Sequence, residues 1–132
     1  MIPAWAFRFI LAIGIIVLGW AAFRFIQHTS LNQIKKNPNS LSMGKPGITT
    51  IVYFTTPDCV ACKTAQRPAL ARLQEKMKDH LQIIEVNAYE KPDMAKAWGV
   101  MSVPTTFILD SQGVPRHLNY GVTATEKLFA QI

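Results

Sequence analysis

Ile48-Thr49-Thr50-Ile51-Val52-Tyr53-Phe54, then Thr55-Thr56-Pro57-Asp58, then Cys59-Val60-Ala61-Cys62, is the stretch on which the fold turns. The first seven residues are β-branched or aromatic and read as a buried strand. The Thr-Thr-Pro-Asp segment breaks it, and Lys63 to His80 reads as a helix. Cys59 therefore falls at or just before a helix N-terminus, where unpaired N–H groups and the positive end of the dipole favour a thiolate. Cys59 and Cys62 are the only cysteines in the chain. A nucleophilic sulfur with a second sulfur one turn away is a layout for thiol–disulfide exchange.

Working downstream, strands and helices alternate. A helix at 60–79 is followed by Ile83-Ile84-Glu85-Val86-Asn87, read as a central strand, and by a short helix from Asp93 to Trp98. Thr105 to Leu109 and Arg116 to Tyr120 read as strands joined by a hairpin at Asp110-Ser111-Gln112-Gly113. Thr123 to Ile132 closes the chain as a helix, with Thr123 and Glu126 as the expected capping box. The order βαβαββα is that of an α/β fold with a mixed sheet flanked by helices.

Upstream, the composition changes sharply. Phe9 to Phe23 is an apolar run of 15 residues bracketed by Arg8 and Arg24. As a helix it rises about 22 Å, short of a hydrocarbon core of about 30 Å, but Pro3 to Ile26 would reach about 36 Å with snorkelling arginines. Trp5 and Trp20 lie near the two ends, as interfacial aromatics do. Three readings fit: a retained single transmembrane helix over 1–26, a cleaved signal peptide with a weak small-x-small site at Gly19-Trp20-Ala21, or a buried helix of the globular domain. The retained anchor fits best, because Phe23, Arg24, Phe25 and Ile26 continue the pattern beyond that site. Residues 27–46 then form a linker, marked by Asn37-Pro38-Asn39-Ser40 and Gly44-Lys45-Pro46-Gly47, and 47–132 the folded domain.

The charge follows the same division. The chain carries 14 Lys and Arg against 8 Asp and Glu, for +6. Five of the cations (Arg8, Arg24, Lys35, Lys36, Lys45) precede residue 48, where there is no acid; the other nine meet all eight acids in 48–132, leaving +1. The basic excess belongs to anchor and linker and suits anionic headgroups; the folded part has no basic surplus for nucleic acid. The arginines on the two sides of the apolar run do not separate its orientations. Placement of the redox domain on the extracytoplasmic side is expected from the usual employment of such anchors.

Over residues 47 to 132 the chain resembles the thioredoxin family. The resemblance rests on the strand–Cys59-Val60-Ala61-Cys62–helix unit, the strand ending in Asn87, the segment Met94 to Val100, and Ser102-Val103-Pro104-Thr105, which matches a loop with a cis-proline before a strand. Gly113 in the hairpin and Gly121 before the last helix also fit. The resemblance implies a membrane-anchored thioredoxin-like thiol–disulfide oxidoreductase. Cys59 would attack as nucleophile and Cys62 would be the buried resolving thiol. Pro104 would face them in cis, with Val103 and Thr105 meeting an extended substrate peptide. It implies no cofactor, and as partners protein thiols or disulfides and an upstream redox protein.

Departures from the family pattern are specific. Its best-known members have Trp before the first cysteine, Gly-Pro between the pair and an acid in the preceding strand; here those places hold Asp58, Val60-Ala61 and Tyr53. Asp58 opposes a Cys59 thiolate unless its carboxylate turns back to cap the helix, and Lys63 counters it. This balance predicts a reductant-leaning pair. Tyr53 is expected in the core with its hydroxyl on a partner, and Glu85 is a possible proton relay in its place. Pro68 falls one residue later than the family's helix proline, which shifts the expected kink.

Other uses of the cysteines fit less well. A structural disulfide across a two-residue gap constrains the unfolded chain little. Zinc needs two more ligands, and His28, His80 and His117 show no paired spacing. Haem attachment needs a histidine where Lys63 stands. The alternative from a different class is a thioredoxin-fold binding or assembly module in which the cysteines are not required.

Overall fold

A computed structural model describes residues 1, 3–36 and 43–132. β1 (Thr49–Thr55) has six of its seven residues buried, as its uniformly apolar and β-branched sequence requires. It pairs in parallel with β2 (Leu81–Asn87), Thr49 against Leu81 through Thr55 against Asn87. On its other side it pairs antiparallel with β3 (Thr105–Leu109), which pairs with β4 (Pro115–Tyr120). The order across this mixed sheet is β2-β1-β3-β4. β2 is therefore an edge strand, where the sequence suggested a central one, and Glu85 consequently stands exposed.

A parallel pair needs a crossover, and helix α2 (Arg67–Met77) supplies it, burying Ala69, Leu70 and Leu73. The helical path begins at Val60, but Cys62–Gln66 is a π turn in which the Arg67 N–H reaches back to the Cys62 carbonyl. The wider turn accounts for the late Pro68. Its ring, with no N–H to give, would collide with the Thr64 carbonyl in a regular α-helix, and one extra residue in the turn relieves this. After β2, α3 (Pro92–Ala97) leads to the loop before β3.

α4 (Thr125–Ala130) starts later than expected, and the Thr123–Glu126 capping box does not form. Gln66 prevents it: its side-chain oxygen accepts the Thr123 N–H at 2.8 Å and its amide donates to the Thr123 carbonyl at 3.2 Å. The Thr123 hydroxyl instead donates to the Gly121 carbonyl at 3.3 Å.

The sheet divides the core. Val52, Phe54, Trp98 and Phe107 lie on one side, with Trp98 meeting Phe107 edge-on at 5.0 Å between ring centres. Ile51, Tyr53, Cys62, Leu70, Leu73, Ile108 and Leu128 lie on the other. The alternation Ile51/Tyr53 against Val52/Phe54 is the period-two pattern that places Tyr53 on the cysteine side.

α1 (Ala4–Lys35) is one helix of 32 residues, about 48 Å long, and its apolar part exceeds a bilayer core of about 30 Å. Ala4–Thr29 is long and apolar enough to cross a membrane, and its apolar side chains are exposed. The helix runs past the expected boundary at Ile26, so the residues from Gln27 to Lys35 are helical where a linker was expected. The Asn37-Pro38-Asn39-Ser40 turn lies outside the described residues.

Candidate active site

Both cysteines sit where β1 hands over to the helix. Their sulfurs are 2.08 Å apart, a disulfide. Cys62 is fully buried, while Cys59 is partly exposed and packs at the margin of the same cluster. The Cys62 N–H donates to the Cys59 sulfur at 3.1 Å. Cys59 thus occupies the N-cap place of the helix that starts at Val60, its sulfur taking the N–H that an Asp or Ser oxygen would take. Cys59, followed by exposed Val60 and Ala61, is the more accessible cysteine of the two.

The Val103–Pro104 bond is cis, as the family resemblance implies. Pro104 is buried and its carbonyl accepts the Gly121 N–H at 2.8 Å. Val103 precedes the β3 ladder and packs against both halves of the core, one of them the cluster that Cys59 also borders. Thr105 departs from its expected place at a substrate. It is fully buried, paired with Phe54 and Tyr120, and its hydroxyl donates to the Ser102 carbonyl at 2.6 Å. Thr105 shapes the loop from behind.

Behind the cysteines, Tyr53 lies between Glu85 on β2 and Thr106 on β3, its partners in register. Residues paired this way share a face. Tyr53 is buried, but its hydroxyl has no partner at hydrogen-bonding distance among the described residues, against expectation, and the Thr106 hydroxyl has none there either. Burial pushes the Tyr53 pKa above its ordinary value, Glu85 adds to this, and Thr55 and Arg67 oppose it. Glu85 is not sealed beneath the cysteines. Its carboxylate is half-exposed and takes a 2.7 Å ion pair from Arg67.

Asp58 does not cap the helix. Its Oδ2 accepts the hydroxyl of Tyr89 at 3.1 Å, and this bond pushes the Tyr89 pKa up. Tyr89 escaped the sequence reading. The signal was the parallel pairing: Thr55 and Asn87 end their strands side by side, so the loops carrying Asp58 and Tyr89 emerge together. Arg67 escaped for the same reason, its partner lying across the sheet edge. Among the described residues, no group of His, Cys, Asp and Glu has the arrangement to hold a metal ion.

Comparison with known proteins agrees with this geometry. The family model for thioredoxin matches residues 35–132. Thioredoxin of Bacillus subtilis strain 168 is 32% identical over 76 residues, 58% of this chain and 72% of that protein. Thioredoxin of Methanocaldococcus jannaschii is 34% identical over 58 residues, 44% of this chain and 67% of that one. Among solved structures, StoA from Bacillus subtilis superposes with a TM-score of 0.56 at 20% identity, over 67% of this chain and 85% of its own. Thioredoxin-2 of the malaria parasite gives 0.59 at 20%, over 63% and 79%. At that identity the likeness is one of fold.

Proposed function

The chain belongs to the thioredoxin family, and from that premise we propose that it exchanges thiols and disulfides with protein substrates at a membrane surface. The observation that carries the reading is the asymmetry of the pair: one sulfur partly exposed at a helix start, the other fully buried one turn on. In the reducing direction, the Cys59 thiolate attacks a substrate disulfide. One substrate sulfur leaves as a thiolate and takes a proton, and the other stays bonded to Cys59. Cys62 then loses its proton and attacks the Cys59 sulfur, releasing the second substrate thiolate and closing the disulfide. Two electrons pass from the pair to the substrate and no cofactor enters.

Cys62 must shed a proton in a buried place, which burial disfavours. Glu85 is proposed as the acceptor at the sheet edge, with Tyr53 in register between the two strands. Val103, on the cluster that Cys59 also borders and ahead of the ladder, is proposed to meet an extended substrate, with the cis Pro104 loop fixing its place. Asp58, one residue before Cys59, favours a reductant-leaning pair even from its place on Tyr89, because a nearby charge that opposes the thiolate weakens the reduced state.

Residues 1–26 are proposed as a retained anchor, with the domain at 47–132 held on the extracytoplasmic side. The test is reduction of a protein disulfide by the pre-reduced full chain, one disulfide per chain, lost in Cys59→Ser. A membrane-impermeant thiol reagent applied to intact cells after reduction by an impermeant phosphine tests the side: labelling of Cys59 supports it, and labelling only when reduction and reagent follow lysis contradicts it.

A further inference from the structure

Tyr89 is 65% exposed, so burial is not what holds its ring. Its backbone is nevertheless tied down. Its N–H donates to Asn87 Oδ1 at 2.9 Å, the Ala88 N–H to the Thr55 carbonyl at 2.9 Å, and the Lys91 N–H to the Asn87 carbonyl at 3.0 Å. Thr55 closes β1 three residues before Asp58, so the anchor of Tyr89 is the strand that also carries Asp58. The side-chain bond from its ring goes to Asp58 Oδ2.

Asp58 is the residue directly before the partly exposed sulfur. Released, its carboxylate is free to lie against the sulfur as a like charge, which disfavours the thiolate. The other charges around the two loops are Lys63 on the helix and Glu90, Lys91 and Asp93 after β2, all exposed.

We propose that Tyr89 is a positioning residue for the Cys59/Cys62 pair: by holding the Asp58 carboxylate against the loop after β2, it keeps that charge away from the sulfur and so sets the pair's reduction potential. The inference rests on the reading that the pair undergoes thiol–disulfide exchange.

The test is a redox titration of the full chain in detergent against reduced and oxidised glutathione. Two glutathione thiols give two electrons and two protons to the disulfide, yielding the dithiol and one oxidised glutathione. The variants are Tyr89→Phe, Asp58→Asn and both together, with melting temperature followed alongside. Tyr89→Phe should shift the equilibrium about threefold toward the disulfide, the scale of one screened surface charge. For two electrons that is about 14 mV more negative. Asp58→Asn should shift it the opposite way, and Tyr89→Phe should add nothing in the Asp58→Asn background, with melting unchanged throughout. The proposal is overturned if Tyr89→Phe leaves the potential unmoved, or moves it equally when Asp58 is already Asn. A wild-type pair that does not equilibrate with glutathione at all overturns the exchange reading, and this inference with it.

Discussion

The Cys62 main-chain N–H points at the Cys59 sulfur from 3.1 Å, so a sulfur stands where a capping oxygen stands at other helix starts. Cys59 therefore contributes to folding as well as to chemistry. In the reduced state Cys59→Ser should keep the cap, because a Ser oxygen accepts the same N–H. Cys59→Ala should be less stable than Cys59→Ser by about 1 kcal/mol in chemical denaturation. Equal stability of the two would mean that the sulfur does not act as a cap.

Tyr53 and Thr106 face each other across β1 and β3 with both hydroxyls buried and unpartnered. Tyr53→Phe removes one such group and leaves the ring in place. Its stability should be unchanged or up to about 1 kcal/mol higher, since an unsatisfied polar group is costly to bury. A loss of more than that would reveal a partner for the hydroxyl.

Glu85 and Arg67 form an ion pair open to solvent on both sides. Such pairs are screened, so Glu85→Gln should cost less than about 1 kcal/mol of stability. If Glu85 accepts the Cys62 proton, the same variant should slow release of a mixed disulfide by about tenfold near neutral pH, below the roughly hundredfold or more of a base in direct contact. An unchanged release rate removes Glu85 from the proton path.

Asp110 holds the β3–β4 hairpin. Its Oδ1 accepts the N–H groups of Gln112 and Val114, and Oδ2 pairs with Arg116 at 2.7 Å. Partial burial raises its pKa, but these donors outweigh that and hold it below the ordinary 3.8. A depressed folded-state pKa means stability that is complete above the unfolded value and lost as pH falls through the folded one. Asp110→Asn should cost about 1 kcal/mol at pH 7, the exposed arginine limiting the gain. The gap between variant and wild type should close below pH 3.8. A gap that persists at lower pH would assign the effect to shape instead of charge.

The sequence carried the main strands and the site because both depend on local signals. β1 is apolar on both faces, the cysteines follow a strand and open a helix, and the Val103-Pro104-Thr105 loop precedes a second strand. What it did not carry depends on neighbours distant in the chain. No periodicity states which strand is at the edge, so nothing local to Glu85 distinguishes an edge strand from a central one. The Thr123 cap is a sound local signal, overridden by Gln66 from another helix. The late Pro68 did register as an anomaly, and its resolution, a π turn directly after Cys62, needed the backbone. Tyr89 became visible only when the register placed its loop beside Asp58.

If Cys59 attacks and Cys62 resolves, the two cysteine variants must differ in trapping: membranes from cells expressing the Cys62→Ser or the Cys59→Ser chain are quenched in acid and run without reductant. Cys62→Ser should accumulate mixed disulfides with proteins through Cys59, and Cys59→Ser, with its one remaining cysteine buried, should accumulate none. Equal trapping by both variants, or by neither, would contradict it.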